Sequence, residues 1–342
     1  MFCRGAIIQE TFFFEQGVRP DSVFAGNLIR NLALAGSILG VTFGCRDYRI
    51  LLEGDEEMVE RGKRFLSVLS QMYIRLGRRI EQADFEQILR TFRDRRDSDL
   101  EKLFAERIKV SPKKREVMPR SKAQLDYVQT IREKDIVFGI GPAGTGKTYL
   151  AMAMAVESLL KEECNRIILT RPAKEAGENL GFLPGSLEEK IMPYLRPLYD
   201  ALYDMLTMEE ANDLISRNVI EVAPLAFMRG RTLNNSFIIL DEAQNTTKEQ
   251  MLMFLTRLGY NSRCVITGDP QQTDIGPREV SGLLHAEQVL SAIPEIAFCH
   301  FGTCDVVRHA LLEKIINAYA VAGKSQPKSA SSAKESSDRE QE

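Results

Sequence analysis

Residues 135–150 read DIVFGIGPAGTGKTYL, and this stretch decides the fold. Its first part, residues 136–140, is a short apolar run typical of a buried β-strand. A glycine-rich segment follows directly, and an alanine- and methionine-rich segment begins at Leu150. This order predicts a strand, a glycine loop and a helix.

The glycine-rich segment fits the P-loop pattern G-x-x-x-x-G-K-T, in which backbone N–H groups surround the phosphates of a nucleotide. Lys147 would neutralise the β- and γ-phosphates, and Thr148 would offer its hydroxyl to Mg²⁺. A glycine turn with a chance lysine is the alternative, but the flanking strand and helix favour the P-loop. We therefore expect ATP and Mg²⁺ as cofactors, with the nucleotide held by Gly141, Pro142, Ala143, Gly144, Thr145, Gly146, Lys147 and Thr148.

Two acidic residues, Asp241 and Glu242, directly follow the apolar run of residues 237–240. Ligands of an open α/β sheet bind at the carboxyl ends of its strands. We therefore expect Asp241 to hold Mg²⁺ together with Thr148, and Glu242 to polarise the water that attacks the γ-phosphate. A helix N-cap pair is the alternative interpretation of these two acids.

Three further side chains are predicted to act at the site, each with an alternative. Gln272 (or its neighbour Gln271) follows the strand at residues 263–267, where an amide would sense the γ-phosphate; a plain polar turn is the alternative. Gln124 precedes the P-loop strand on a helix, where it would read the Hoogsteen edge of adenine or simply face solvent. Arg308 is a candidate arginine finger, supplied in cis or by a neighbouring subunit, or else a surface arginine on a helix.

Strands alternate with helices after residue 121, which predicts an α/β domain with a doubly wound parallel sheet over residues 121–322. Residues 1–95 predict a small helix–strand–strand–helix module. Residues 96–120 predict a connector, part helix (97–108) and part exposed basic segment, which is either solvated or a contact surface for a phosphate backbone. Residues 173–197 are rich in glycine and proline and predict a functional loop. Residues 323–342 lack aromatic and large aliphatic side chains and predict a disordered tail.

Composition excludes several classes of protein. The formal net charge of the 342 residues is −3, so any nucleic-acid site must be a local patch. The 6 cysteines form no C-x-x-C pair and only 3 histidines are present, which argues against a zinc site or a disulfide framework. The sequence shows no signal-peptide h-region and no apolar run of transmembrane length, so we expect a cytoplasmic protein without a membrane partner.

Several blocks together resemble the PhoH-like ATPases. They are the P-loop, Arg171-Pro172, GENLGFLPG (177–185), PYLRPLYD (193–200), LDEAQN (240–245), GDPQQ (268–272) and DVVRH (305–309). The resemblance implies a RecA-like P-loop NTPase fold similar to superfamily 1 helicase motors, although this chain has length for one motor domain. It also implies a KH-like N-terminal module, in which Gly36 and Gly40 are one residue too far apart for a G-x-x-G clamp.

The same resemblance implies ATP hydrolysis and an RNA-related role. The partners that it implies for this chain are single-stranded RNA, a YbeY-type endoribonuclease and further copies of the chain. A hexameric ring is one form that such a homo-oligomer could take. Arg171 matches a strand-end residue that touches nucleic acid in related motors.

Three functions therefore remain open at this point. The first is an ATPase that remodels or unwinds RNA, or processes RNA with an endoribonuclease. The second is a slow ATP-dependent switch or adaptor that recruits a protein partner without moving along RNA. The third is a small-molecule kinase. Glu242 argues against this function, since a glutamate at that place favours water as the acceptor of the phosphoryl group.

Overall fold

The computed structural model describes residues 7–15, 17–46, 48–93, 103, 106–172, 187–276 and 280–306, without the side chains of residues 83, 187–191 and 304. Parts of several predictions lie outside these residues: the loop at 173–186, Arg308 and the tail. None of the described helices is long and apolar enough to cross a membrane.

The N-terminal module contains a three-stranded antiparallel sheet with the strand order β1-β3-β2. Its elements are β1 (Ile7–Phe13), α1 (Pro20–Val23), α2 (Leu28–Leu39), β2 (Thr42–Arg46), β3 (Arg49–Asp55), α3 (Glu56–Leu76) and α4 (Gln82–Arg93). The predicted helix–strand–strand–helix unit is confirmed as α2 to α3. Strand β1 was not predicted, because its side chains alternate only between exposed and half-buried and its partner β3 is distant in sequence.

This order of elements fits the expected KH-like module, but the glycines do not form its clamp. Gly36 lies inside α2, and Gly40 is the C-cap of that helix with φ 74°. The connection between α1 and α2 spans residues 24–27 and contains one glycine, Gly26. A G-x-x-G loop is therefore not present between these two helices.

The second module is built on a six-stranded parallel sheet with the order β6-β5-β7-β8-β4-β9. The strands are β4 (Ile136–Ile140), β5 (Arg166–Arg171), β6 (Ile220–Pro224), β7 (Ser236–Leu240), β8 (Arg263–Gly268) and β9 (Ile296–His300). The helices are α5 (Lys122–Glu133), α6 (Lys147–Leu160), α7 (Leu187–Met205), α8 (Met208–Ser216), α9 (Lys248–Leu255) and α10 (Gly282–Leu290).

Both faces of this sheet are buried. Ile167 and Leu169 pack into a core with α5 to α8, whereas Ile168, between them on the same strand, packs into a second core with α9 and α10. Alternate side chains of one strand therefore enter different cores, as in a sheet covered by helices on both sides. The predicted doubly wound parallel sheet is confirmed.

Helix α7 corrects part of the predicted loop. The sequence predicted irregular structure through residue 197, yet α7 begins at Leu187 and contains Pro193 and Pro197. Both prolines are exposed and lie four residues apart, on one face of the helix. On an exposed face, water can satisfy a carbonyl that loses its helical partner, which lowers the usual cost of proline inside a helix.

The connector is folded along its described part. Ile108 and Val117 form an antiparallel bridge, with Ile108 N donating to Val117 O at 2.8 Å. Ile108, Val110 and Val117 are buried in the core of the second module, so the helix predicted to reach residue 108 ends earlier. The predicted exposed basic segment is confirmed in part, since Lys113 and Arg115 are exposed, whereas Lys114 is half-buried and donates to Tyr203 O at 2.6 Å.

Candidate functional site

The P-loop joins β4 to α6 through a backbone that requires glycine. Gly141, Gly144 and Gly146 have φ values of 151°, 84° and 81°, a region that side chains disfavour. A Cβ atom on Gly141 would lie 2.5 Å from the carbonyl oxygen of Phe301. A side chain at this position would therefore clash with Phe301, so the conformation of the loop requires glycine here.

Lys147 begins helix α6 and is 7% exposed. Its ammonium donates hydrogen bonds to the carbonyl oxygens of Gly141 at 2.7 Å and Pro142 at 2.8 Å. Burial lowers the pKa of this ammonium, and the nearby acids Asp269, Asp241 and Glu242 oppose that effect. The loop thus holds a cation in the place where the phosphates of a nucleotide would need one.

Asp241 lies at the carboxyl end of β7 and is 7% exposed. Its Oδ1 atom accepts hydrogen bonds from the hydroxyl of Thr148 at 2.7 Å and from the hydroxyl of Thr267 at 2.7 Å. The predicted pairing of Thr148 with Asp241 is therefore present. Sequence reasoning missed Thr267, which ends up here because β8 lies between β7 and β4.

These oxygens fit Mg²⁺, although the described residues contain no group of three His, Cys, Asp or Glu side chains that could hold a metal alone. Mg²⁺ in phosphate-transferring sites uses one or two carboxylates, and phosphates and water supply the other ligands. Thr148 and Asp241 offer this hard oxygen set beside the P-loop. When bound, the ion would neutralise charge on the phosphates.

Glu242 has a left-handed backbone, with φ 54°. Its Oε1 atom accepts a hydrogen bond from Arg171 Nη2 at 2.6 Å, and its Oε2 atom accepts one from Gln244. Left-handed backbone is uncommon outside glycine and costs on the order of 1–3 kcal/mol. Such strain is found at functional sites, and here it orients a carboxylate beside the P-loop.

Arg171 ends β5 and touches both acids. Besides the contact with Glu242, its Nε atom lies 3.7 Å from Asp241 Oδ2. A third contact anchors the guanidinium, because Nη1 donates to the carbonyl oxygen of Tyr194 at 2.9 Å. The contact of Arg171 with nucleic acid, which the resemblance implies, stays a prediction; in the structure its guanidinium contacts the acids that follow β7.

Gln272 takes part in a network that the sequence did not predict in full. Its amide donates to Asp269 Oδ2 at 2.9 Å, and the same oxygen accepts from the backbone N–H of Ala143 in the P-loop at 3.0 Å. Gln244 is 1% exposed and its Oε1 atom accepts from Asp269 N at 3.0 Å. Glu242 is therefore linked through Gln244 and Asp269 to the P-loop itself.

Asp269 and Gln244 are functional candidates to which the sequence assigned no role. Asp269 is the first acid after β8, so the rule that led to Asp241 would also have found it. No local sequence pattern pointed to Gln244, since its role depends on a fold that brings the ends of β7 and β8 together.

Gln124 lies beside the P-loop, as predicted, and the residue is 4% exposed. Its Oε1 atom accepts from Arg120 N at 2.6 Å and its Nε2 atom donates to Thr145 O at 2.9 Å. Both ends of the amide are thus engaged by the protein. Its contact with adenine remains a prediction, as does the role of Arg308, which lies outside the described residues.

The parallel sheet, the glycine loop after β4 and the acids after β7 define the protein as a P-loop NTPase-type α/β protein. Residues 116–320 match the family described as PhoH-like protein, and the chain belongs to this family. It is 45% identical to a PhoH-like protein of Bacillus subtilis (strain 168) over 302 residues, which cover 88% of this chain and 94% of that one.

Two other relatives match a shorter part. A PhoH-like protein of Mycobacterium tuberculosis (strain ATCC 25618 / H37Rv) is 59% identical over 211 residues, 62% of this chain and 60% of that protein. Protein PhoH of Escherichia coli (strain K12) is 42% identical over 206 residues, 60% of this chain and 58% of that protein. Over these regions the chain therefore spans less than two thirds of either relative.

Proposed function

We propose that this protein binds and hydrolyses ATP with Mg²⁺ and that RNA controls the hydrolysis. One observation carries the ATPase part of the proposal. The hydroxyl of Thr148, which follows the P-loop lysine, lies 2.7 Å from Oδ1 of Asp241 at the end of β7. A phosphate-binding loop and a metal-binding acid thus meet at one point, as phosphoryl transfer requires.

Glu242 is the proposed general base, because its carboxylate follows the metal-binding acid and can take a proton from water. In the described arrangement, Arg171 and Gln244 occupy both of its oxygens. Neither oxygen is then free to accept a hydrogen bond from the attacking water without giving up or sharing a protein donor. The contact with Arg171 must therefore loosen before Glu242 can activate water fully.

RNA can loosen this contact by competing for Arg171. A guanidinium binds phosphate in the same bidentate manner as carboxylate, so an RNA phosphate near the end of β5 would draw Arg171 from Glu242. The net charge of −3 means that such a phosphate must be attracted locally. On this proposal, RNA binding and ATP hydrolysis share one arginine.

The same contact also supports the second candidate, a slow ATP-dependent switch or adaptor. If nothing displaces Arg171, Glu242 stays engaged and the nucleotide persists on the P-loop. The proposed partners are then proteins, such as a YbeY-type endoribonuclease or further copies of the chain. In such an assembly Arg308 would act across the interface.

The first experiment is steady-state ATP hydrolysis with Mg²⁺, with and without single-stranded RNA, at two salt concentrations. We expect RNA to raise turnover and added salt to reduce that rise, because phosphate contacts weaken as salt increases. Equal turnover with and without RNA would reject control by RNA and favour the adaptor. No Mg²⁺-dependent hydrolysis under any condition would reject the ATPase.

A further inference from the structure

A cavity of about 640 Å³ lies between the two modules and borders the P-loop. Gly144 and Gly146 form one wall, and Tyr149, two residues after Lys147, lies beside them. The opposite wall comes from helix α4 of the N-terminal module, including Asp84 and Thr91. This volume falls within the range of roughly 300–1,000 Å³ typical of small-molecule sites.

The sheet order sets which end of a nucleotide would enter this cavity. The acids Asp241 and Glu242 follow β7, and β8 separates that strand from β4 and the P-loop. Terminal phosphates directed at these acids point toward the β7 side. The cavity instead opens beside Gln124 of α5, a helix that packs on β4 and β9. A nucleotide with its γ-phosphate at Glu242 would thus extend its nucleoside half toward α5 and the cavity.

Four of the charged groups around the cavity are held in close ion pairs. Glu81 is paired with Arg78 at 3.0 Å and with Arg115. Glu116 is paired with Arg107 at 3.3 Å. Within each pair the two charges compensate each other, so these side chains have no need of a charged ligand.

Asp84 differs from them. Its side chain is 11% exposed, and the Nη2 atom of Arg120 lies 3.9 Å from its Oδ1 atom. That distance is too long for a hydrogen bond. A half-buried carboxylate without a close donor has lost part of its hydration, and a ligand that donates a hydrogen bond would compensate for that loss.

We propose that this cavity binds the adenosine half of ATP and that Asp84 selects adenine by accepting a hydrogen bond from its exocyclic amino group. The inference rests on nucleotide binding at the P-loop, as proposed above. It makes the N-terminal module part of the nucleotide site, with Asp84 as a specificity-determining residue.

A chain of hydrogen bonds connects helix α4 on one side of the cavity to the P-loop on the other. Gln87 of α4 donates to Arg120 O at 2.7 Å, and Arg120 N donates to Gln124 Oε1 at 2.6 Å. Gln124 Nε2 then donates to Thr145 O in the P-loop at 2.9 Å. Adenosine in the cavity would therefore contact two walls that are already coupled, so the N-terminal module would respond to the nucleotide.

The test is equilibrium binding to the full chain of four probes: ATP, GTP, purine riboside 5′-triphosphate and inorganic tripolyphosphate. Purine riboside triphosphate lacks only the exocyclic amino group of ATP, and tripolyphosphate lacks the nucleoside. We expect ATP to bind about tenfold more tightly than purine riboside triphosphate, the effect of one hydrogen bond to a charged group. GTP should bind more weakly than ATP.

Two variants locate the effect. Asp84→Ala should bring ATP and purine riboside triphosphate to equal affinity while tripolyphosphate affinity stays within about twofold. Thr91→Trp should fill the cavity and weaken ATP binding without weakening tripolyphosphate. Glu86→Ala is the matched control, since it removes a carboxylate from the same helix outside the cavity lining.

The outcomes separate this inference from the proposed function. Binding of neither ATP nor tripolyphosphate would reject the P-loop proposal and the inference with it. Equal affinity of the wild-type protein for ATP and purine riboside triphosphate, or GTP bound more tightly than ATP, would overturn adenine selection and leave the P-loop proposal standing. Unchanged ATP affinity in Thr91→Trp would place the nucleoside elsewhere.

Discussion

Arg171 Nη2 lies 2.6 Å from Oε1 of Glu242, so the arginine that ends β5 holds the acid that follows β7. The two strands are neighbours in the sheet, and their ends therefore meet at its carboxyl edge. Arg171 is also tied to Tyr194 O, which fixes the guanidinium against α7. The position of one side chain thus depends on β5, β7 and α7 together.

Removing this arginine should release Glu242. We expect Arg171→Ala to raise RNA-free ATP turnover about fivefold, which corresponds to breaking an ion pair worth about 1 kcal/mol. The same variant should lose its stimulation by RNA. Arg171→Lys keeps the charge but not the fork geometry and should retain part of both properties. Turnover that falls in Arg171→Ala would instead assign the arginine a direct role in hydrolysis.

Replacing the proposed general base should separate hydrolysis from binding. Glu242→Gln should lower ATP turnover by about 10²- to 10⁴-fold, the usual contribution of a general base, with ATP affinity changed by less than about threefold. Glu249→Gln, an exposed acid in the first turn of α9, is the matched control and should leave turnover unchanged. Unaltered turnover in Glu242→Gln would reject Glu242 as the base.

The buried Lys147 should make nucleotide binding depend on pH. Burial lowers its pKa in the nucleotide-free protein, and bound phosphate would raise it again, so binding takes up a proton in the alkaline range below the ordinary lysine value of 10.5. Affinity for a non-hydrolysable ATP analogue should therefore fall as pH rises through this range.

Isothermal titration calorimetry in buffers of different ionisation enthalpy measures this proton uptake. It should grow as pH rises toward the ordinary lysine value, because the neutral fraction of Lys147 in the nucleotide-free protein increases with pH. Lys147→Arg is the control, because a guanidinium stays protonated throughout. Equal uptake by this variant would assign the proton to another group.

Gly268 supports the network around Gln244 and should not tolerate a side chain. A Cβ atom there would lie 2.8 Å from Gln244 Oε1 and 2.7 Å from Leu283 Cδ2. We expect Gly268→Ala to lower the free energy of unfolding by about 1–3 kcal/mol, typical of overpacking, and to lower ATP turnover. Gly276→Ala meets no atom within 4 Å and should change stability by less than about 0.5 kcal/mol in the same denaturant titration.

The sequence predicted the parts of the site that follow from local patterns. Lys147 and Thr148 belong to a contiguous motif, and Asp241 and Glu242 directly follow an apolar strand. The hydrogen bond of Thr267 to Asp241 was missed because it depends on β8 lying next to β7, and local sequence does not specify strand order. The contact of Arg171 with Glu242 required the same knowledge. Asp269, by contrast, could have been found as the first acid after its strand.

Two features of the fold were also beyond local patterns. Pro193 and Pro197 predicted irregular structure, but their shared exposed face allows α7 to include them. The contribution of Asp84 to a cavity at the P-loop depends on how the modules pack. That packing is set by side chains far apart in sequence, such as Leu125 of α5, which is buried in the N-terminal core.

The connector places its apolar side chains in both cores. Ile108, Val110 and Val117 belong to the core of the second module, while Leu103 packs in the N-terminal core. Neither module can lose its structure without exposing side chains that the other helps to bury, so thermal or chemical denaturation should proceed as one cooperative transition. A fragment that begins at Ser121 would lack three core residues, and cutting the chain at that point should yield a protein that aggregates more readily than one begun near residue 106.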